Sequence, residues 1–172
     1  MGAGLRGPAV RRTNHLVTSH GSTRMRIETT RFGRLTVDDA RIIVFKDGLL
    51  GFPQHRRFAL VQTSEDPVFF WLQSVEDPDL AFVVCDPLTF VPDYQVSLRR
   101  DDLQALGLRD LTDGQVLVIV NKVQGELTGN LLGPLLIGMA TLRAKQLVLS
   151  EKRYGTRQRL VPAAGVPVAR TA

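Results

Sequence analysis

The sequence predicts a mainly β fold: a small, barrel-like antiparallel β domain with one or two short helices. Short apolar runs recur along the chain at spacings of roughly 8–12 residues, the rhythm of a β sandwich or barrel. Asp-Pro pairs at 66–67, 77–78 and 86–87 separate several of these runs, and proline suits such turns because it fixes φ and lacks a backbone N–H. The runs 68–72 and 80–85 are apolar throughout, which is typical of strands covered on both faces.

The first predicted elements form a hairpin. An alternating run extends from Met25 to Arg31, and Phe32-Gly33-Arg34 provides a turn into Leu35-Thr36-Val37. Further strands are predicted at 42–45, 58–62, 68–73, 80–85, 116–120, 127–131, 134–137 and 146–149. The fully apolar strands should form the centre of the core, with large side chains from Phe69, Trp71, Phe82 and Val84.

One helix is predicted between the strands. Ser97 is a suitable N-cap, and Asp101 and Asp102 suit the first turn because acidic groups favour the positive end of the helix dipole. Gly107 is placed to end the helix. The apolar side of the helix is supplied by Leu103, Leu106 and Leu108.

Charge divides the chain into an acidic body and two basic ends. Residues 1–24 carry four basic groups and 152–172 carry five, with no acid in either, whereas 25–151 carry thirteen basic and seventeen acidic groups, a net charge of −4. We therefore expect a disordered basic N-terminal extension at 1–24, a β domain at 25–150 and a basic C-terminal tail at 151–172. An acidic body is repelled by phosphate and attracted to basic proteins, so we expect no direct nucleic-acid binding by the body.

Composition also bears on the compartment. No stretch approaches the roughly 20 apolar residues of a membrane span, and the first residues lack the apolar core of a secretory signal. The single cysteine, Cys85, cannot form an internal disulfide. We therefore expect a monomeric protein of the reducing cytoplasm that makes no membrane contact.

No catalytic, cofactor or metal site is predicted. The histidines are His15, His20 and His55, and no pair of them has a metal-ligand spacing with a third Cys or His nearby. Cys85 ends an apolar strand with no nearby histidine, which favours a buried side chain over a nucleophile. The chain has no phosphate-binding glycine loop and no serine-nucleophile motif. A hydrolase therefore has no positive feature to support it.

Several segments, taken in order, resemble the family of the bacterial flagellar assembly factor FliW. They are the opening strand and glycine turn at 25–33, Ile43-Val44-Phe45 through Gly48, Leu50-Gly51-Phe52-Pro53, the aromatic strand at 67–74, the strand at 81–87, Pro92-Asp93-Tyr94, 130–135, 145–149, Tyr154 and Arg157. No single segment is specific, but the ordered set over residues 25–160 identifies the family. Residues 1–24 have no counterpart in it, and Arg-Ala-Lys at 143–145 departs from a stretch that is often more basic or contains glycine.

The resemblance implies a mainly β, barrel-like fold and two protein partners. One partner is flagellin, held in the cytoplasm, and the other is CsrA, a small RNA-binding translational repressor. In that scheme the free protein binds CsrA and relieves repression of flagellin synthesis. Accumulated flagellin then occupies the protein and restores repression.

We expect partner contacts in loops, because loops carry recognition more often than core strands do. The two loops that we expect to contact a partner are the connection 86–94 and the segment 130–134. Lys145, in the charged stretch 143–145, is a further candidate. The candidate residues are Asp86, Phe90, Pro92, Tyr94, Asn130, Leu131, Pro134 and Lys145. Phe90 and Tyr94 are the candidate aromatic anchors, and ordinary core or turn positions are the alternative for both.

Two other functions stay open at this point. A nucleic-acid-binding β-barrel would use the basic tails, and salt-sensitive RNA binding would indicate it. A flagellin chaperone without a repressor partner would share the fold, and the sequence does not separate it from the two-partner regulator.

If Tyr94 is an interface anchor, Tyr94→Ala should weaken partner binding by more than ~1 kcal/mol and leave the melting temperature nearly unchanged. Calorimetric titration with the partner and thermal unfolding of the variant check the two halves of this expectation.

Overall fold

In the computed structural model, which describes residues 23–65 and 67–162, the chain is mainly β. The strands are β1 (Arg24–Thr29), β2 (Gly33–Asp38), β3 (Ile43–Phe45), β4 (Arg57–Val61), β5 (Phe69–Ser74), β6 (Ala81–Cys85), β7 (Gly114–Val123), β8 (Glu126–Gly129), β9 (Leu135–Gly138), β10 (Arg143–Gln146) and β11 (Gln158–Arg159). The described helical elements are α1 (Arg100–Leu106) and 3₁₀ turns at Asp39–Arg41, Pro87–Thr89 and Leu111–Asp113. No helix among these residues is long and apolar enough to cross a membrane.

Seven of these strands close into a barrel. Each is hydrogen-bonded to the next in the order β7, β6, β5, β4, β3, β10, β9, and β9 returns to β7 with Gly138 opposite Gly114. The predicted barrel is therefore confirmed. β8 and β11 extend the sheet beyond β7, and β1 and β2 form a separate hairpin. The β3–β10 pair is parallel. Strand direction cannot alternate all the way around a closed ring of seven strands, so an otherwise antiparallel barrel of this size must contain one parallel pair.

Side chains alternate between the interior of the barrel and its outer face along each strand. The interior is filled by large apolar side chains, among them Ile43, Phe45 and Phe58, all fully buried. The rings of Phe45 and Phe58 meet edge to face, with centroids 5.6 Å apart. The interior is therefore a packed core.

The outer face of the barrel is also covered by apolar contacts. The β1–β2 hairpin packs Ile27 and Val37 against Ala59 of β4. Helix α1 places Leu106 against Leu136 of β9. This double coverage explains why several strands are apolar at every position instead of alternating.

The large aromatic side chains divide between these two layers. Phe82 packs against the interior cluster that contains the buried Val84, as expected. Phe69 packs instead in an outer cluster, and Trp71 is only half-buried, so the expectation that both form the centre of the core was wrong. Trp71 is covered by the turn of the β1–β2 hairpin, where the Arg31 guanidinium carbon lies 4.4 Å from the ring centroid.

The helix begins later than predicted. Its N-cap is Arg99, whose backbone N–H donates to the Asp102 carboxylate at 3.3 Å. The hydroxyl of Ser97, the predicted cap, donates instead to Glu151 at 3.0 Å. The predicted end is confirmed, since Gly107 adopts the left-handed conformation (φ 67°) that closes a helix.

The ordered chain also extends further than predicted at its C-terminal end. The last strand was expected at 146–149, but β10 ends at Gln146 and a further strand, β11, pairs with β8. Leu160 is only 4% exposed, and its N–H donates to the Leu127 carbonyl at 2.9 Å. Placing residues 151–160 in a basic tail was therefore wrong, because tertiary contacts order this segment without a periodic apolar pattern.

The remaining terminal predictions fall largely outside the described residues. Of the predicted extension at 1–24, the structure describes Thr23 and Arg24, and Arg24 begins β1. Residues 163–172 and Asp66 of the first Asp-Pro turn also lie outside the described part of the chain.

Two glycines with the same φ provide a test of the backbone close to the barrel. Gly33 and Gly48 both have φ +67°, but a Cβ at Gly33 would meet nothing within 4 Å, whereas one at Gly48 would lie 2.5 Å from the Phe52 carbonyl oxygen. We expect Gly33→Ala to cost about 1 kcal/mol of unfolding free energy, from φ alone. Gly48→Ala should cost more than about 2 kcal/mol beyond that, because backbone atoms must move. Urea unfolding of both variants measures the difference, and equal losses would contradict the steric explanation.

Candidate protein-binding groove

The structure brings the two predicted recognition segments together. The Tyr94 hydroxyl donates to the Leu131 carbonyl at 2.7 Å, which joins the connection 86–94 to the segment 130–134. This contact is buried, and Leu131 is only 1% exposed. The two loops therefore lie side by side, and what joins them is core packing.

The two candidate aromatic anchors are core residues. Tyr94 is 7% exposed, and its ring centroid lies 4.8 Å from that of Tyr154. Phe90 is also 7% exposed and stacks on Phe69 at 5.9 Å. The burial of both rings favours the alternative of ordinary core positions. The anchor role stays a prediction, which the Tyr94 variants below test. An aromatic side chain in a loop gives the same sequence signal whether it faces inward or outward.

Three of the other candidates also hold the fold together. Asn130 accepts the Gly133 N–H at 2.9 Å and shapes the turn before β9, and Pro134 in that turn is buried. The Lys145 ammonium lies 2.6 Å from the Asp102 carboxylate, which ties β10 to helix α1.

The last two candidates lie nearer the solvent. Of the eight candidates, Pro92 alone is exposed to solvent. Asp86 is half-buried and leads to a groove in the outer surface of the barrel. The groove has a volume of about 360 Å³ and is lined by 86–88, 94–97, Leu111 and the pair Gln115-Val116.

This groove exists because β6 ends early. β6 pairs with β7 only from Val83 to Cys85, opposite residues 118–120. Asp86 then accepts the Leu88 N–H at 2.9 Å and caps the 3₁₀ turn, which carries the chain out of the barrel wall. Residues 114–117 of β7 are therefore paired with β9 along one edge and have no β6 partner along the other.

The rim and floor of the groove differ in polarity. Leu88 is 49% exposed on the rim, where it places an apolar surface beside the Asp86 carboxylate. Gln115 on the floor is 4% exposed, and its Nε2 donates to the Val116 carbonyl at 3.1 Å. Its Oε1 has no donor among the described residues, and such a buried acceptor costs roughly 1–3 kcal/mol.

Asp86 supplies the carboxylate of the groove. Burial raises the pKa of Asp86, and hydrogen bonds from the Leu88 backbone and the Gln115 side chain oppose this shift. Desolvation therefore leaves the ionised carboxylate under-stabilised by its surroundings. Asp86 and the Gln115 oxygen together make the groove a place for hydrogen-bond donors, above all for positively charged ones.

One wall of the groove is fixed by residues 151–160, which we call the C-terminal strap. The Gln95 N–H donates to the Tyr154 hydroxyl at 2.8 Å, and the Leu131 N–H donates to the Gly155 carbonyl at 3.0 Å. The Ser97–Glu151 hydrogen bond described above adds a third attachment. The segment 94–97 is therefore positioned by a part of the chain that the sequence pattern did not reveal.

Of the ten residues that line the groove, reasoning from the sequence named two as candidates, Asp86 and Tyr94. Leu88 and Gln115 are the two most informative of the eight that it did not name. Gln115 carried a usable signal, because it begins a strongly apolar β run as an isolated polar side chain. Leu88 carried none, since an apolar residue after an Asp-Pro turn is as often buried as exposed.

The described residues contain no cluster of side chains suited to metal binding. No group of three His, Cys, Asp or Glu side chains in residues 23–65 and 67–162 could hold a metal ion. His55 lies beside Phe52, with ring centroids 6.2 Å apart, and His15 and His20 fall outside the described part of the chain. Cys85 is fully buried beneath the outer cluster.

Comparison with known proteins gives a consistent result. The model of the FliW protein family matches residues 26–160. The flagellar assembly factor FliW of Leptospira interrogans is 37% identical over 146 residues, covering 83% of this chain and 97% of the relative. That of Geobacter sulfurreducens is 39% identical over 135 residues, covering 77% and 84%. A crystal structure of the flagellar assembly factor FliW superposes with a TM-score of 0.73 at 31% identity, covering 80% of this chain and 98% of that one.

The burial of Tyr94 reverses the earlier expectation for its variants. We expect Tyr94→Ala to lower the unfolding free energy by about 3–5 kcal/mol, as for other large aromatic truncations in cores. Tyr94→Phe keeps the ring and loses only the hydrogen bond to Leu131, so it should cost about 1 kcal/mol. Urea unfolding measures both, and an unchanged stability of Tyr94→Ala would restore the anchor hypothesis.

Cys85 should be chemically inert in the folded protein. Burial raises the pKa of its thiol to about 12, with a smaller contribution from the Asp86 charge. The thiolate is the reactive form, so its fraction at pH 8 is only about one part in ten thousand. We expect no modification by iodoacetamide at pH 8 in buffer and rapid modification in concentrated urea, with mass spectrometry as the measurement. Rapid modification of the native chain would contradict this burial.

Proposed function

The chain belongs to the FliW family of flagellar assembly factors, and from this membership we propose that it binds flagellin and antagonises the translational regulator CsrA. Its role in flagellar assembly follows from the family. The two partners, the non-enzymatic mechanism and the resulting control of flagellin synthesis are our proposal. Its cytoplasmic location is part of the same proposal, since both partners are made and held there.

The observation that carries this proposal is the exposed Leu88 on the rim of a groove that also contains Asp86. Protein-binding surfaces combine an apolar centre with polar groups that fix the orientation of the partner. The groove offers both within one turn of chain, because Asp86 caps the 3₁₀ turn that holds Leu88 outward.

The charge of the groove supports a basic protein as one of the partners. With the ordered strap included, residues 23–162 carry 18 basic and 17 acidic groups, so the net charge of the folded body selects no partner. The groove lining contains the Asp86 carboxylate and no Lys or Arg, which favours a positively charged surface at this place. An RNA-binding regulator presents such a surface, and contact with this protein would lower the affinity of the regulator for RNA. Flagellin competing for the same groove would then release the regulator.

The test is calorimetric titration of the full chain with flagellin and, separately, with CsrA, both from the same organism. We expect both to bind with micromolar affinity or tighter. Binding of flagellin alone would reduce the function to that of a chaperone. Binding of neither partner would overturn the proposal.

The groove itself is tested by placing a charge on its rim. We expect Leu88→Arg to weaken binding of at least one partner by at least about tenfold, because it introduces a cation in place of an apolar contact. Val123→Arg is the matched control, since Val123 is 41% exposed on the β7–β8 hairpin and does not line the groove. Equal affinities for Leu88→Arg and the parent chain would remove the groove from the interface. Equal melting temperatures of the two variants show that both are folded.

A further inference from the structure

The segment from Gln95 to Arg99 has the pattern of a strand without a strand partner. Its residues alternate between exposed and half-buried positions, and Arg99 has extended dihedral angles (φ −85°, ψ 151°). Among the described residues, no backbone group of 95–98 is hydrogen-bonded to another backbone group. The Gln95 N–H donates instead to a side chain, the Tyr154 hydroxyl. The N–H groups of Val96 and Leu98 point to the edge opposite that of Gln95 and have no backbone acceptor among the described residues.

The opposite side of the groove also has an open strand edge. Residues 114–117 of β7 lack a β6 partner, as described above. The Gln115 side chain partly covers this edge by donating to the Val116 carbonyl. A groove bordered on both sides by strand-like main chain suits an extended segment better than a helix, because only an extended backbone matches that hydrogen-bonding pattern.

The charge of the groove selects the side chains of such a segment. The lining contains no Lys or Arg among the described residues, and its carboxylate is that of Asp86. The unpaired Gln115 oxygen on the floor is a second acceptor close by. The rim beside them is apolar, because Leu88 is half-exposed there.

We propose that this groove binds an extended segment of a protein partner by β-strand addition along residues 95–98, with an Arg or Lys of that segment on Asp86. A neighbouring apolar side chain of the segment packs on Leu88. This inference rests on the proposed function, because it specifies which part of a protein partner the groove binds. The strap supports it by fixing the 94–97 wall before the partner arrives, which lowers the ordering cost of binding.

The two kinds of contact have separate roles. Main-chain hydrogen bonds supply affinity that depends little on sequence, whereas the charged and apolar pockets supply selectivity. Arginine suits the acceptors better than lysine does, because its planar guanidinium can donate to two oxygens at once.

The first test is amide hydrogen exchange of the full chain, with and without saturating partner. We expect the amides of Val96, Ser97 and Leu98 to exchange rapidly in the free protein. In the complex, the amides of Val96 and Leu98 should be at least tenfold slower, because alternate residues of a strand direct their N–H groups to the same edge and that of Ser97 lies with Gln95 on the strap side. The amides of Asp102 and Leu103 in helix α1, which already donate to the Arg99 carbonyl, are the internal control. Slow exchange at 96–98 in the free protein would mean that the chain already covers this edge and would overturn the proposal. Unchanged rapid exchange in the complex would overturn it too.

The second test measures the charge contact. Overlapping peptides spanning flagellin and CsrA are the probes, and the peptide that binds is remade with its Arg or Lys replaced by Gln. Asp86→Asn keeps an acceptor for the Leu88 N–H. We expect it to lower the affinity for the parent peptide at least tenfold and the affinity for the Gln peptide by less than twofold. Asp93→Asn is the matched control, since Asp93 is exposed in the adjacent turn and does not line the groove.

The outcomes separate this inference from the proposed function. Failure of full-length flagellin and CsrA to bind would overturn the proposed function. Binding of the full-length partners with no protection at 96–98 and no effect of Asp86→Asn would overturn only the inference, and would place the interface elsewhere on the protein. If Asp86→Asn weakened the binding of the parent peptide and of the Gln peptide equally, a charge contact would be excluded, and this result would also contradict the inference.

Discussion

Strand β7 is the constraint on which the rest of this structure depends. Its ten residues pair with β9 at the start, with β6 in the middle and with β8 at the end. The first pairing closes the barrel, and the last extends it into the sheet that receives β11. Because β6 reaches only the middle of β7, the start of the strand has one free edge. Closure of the barrel and opening of the groove therefore have the same origin.

The C-terminal strap shows how a loop can be made rigid without secondary structure. The segment 94–97 is not paired with any β-strand of the described chain. Hydrogen bonds from the Gln95 N–H and the Ser97 hydroxyl to the strap hold it in place. The strap is held in turn by β11 and by the burial of Leu160. Recognition loops positioned by a stable scaffold can be selective at low entropic cost, and here the scaffold includes the end of the ordered chain.

The sequence was most informative where structure is local. Apolar runs bounded by Asp-Pro turns and the glycine that ends α1 give strand positions and a helix end that agree with the structure, since these signals depend on neighbouring residues. Positions that depend on distant contacts were missed. The direction of β3 against β10, the strap and the inward orientation of Tyr94 are all set by tertiary packing. The groove lies at the meeting point of such contacts, so the sequence analysis named only Asp86 and Tyr94 of its lining.

The groove also has an energetic consequence for the fold. Burial raises the pKa of Asp86 above its value in the unfolded chain, so ionisation of this carboxyl opposes folding. Its stabilising contribution is present in acid, below the unfolded pKa, and is lost as the pH rises through the folded pKa. The unpaired oxygen of Gln115 is a second cost at the same place. A cation beside these two groups would offset both, so binding of a basic segment would also stabilise the fold. Groups that lower the free energy of unfolding are tolerated at sites where a bound ligand compensates for them. The two such groups, Asp86 and Gln115, both lie in the groove.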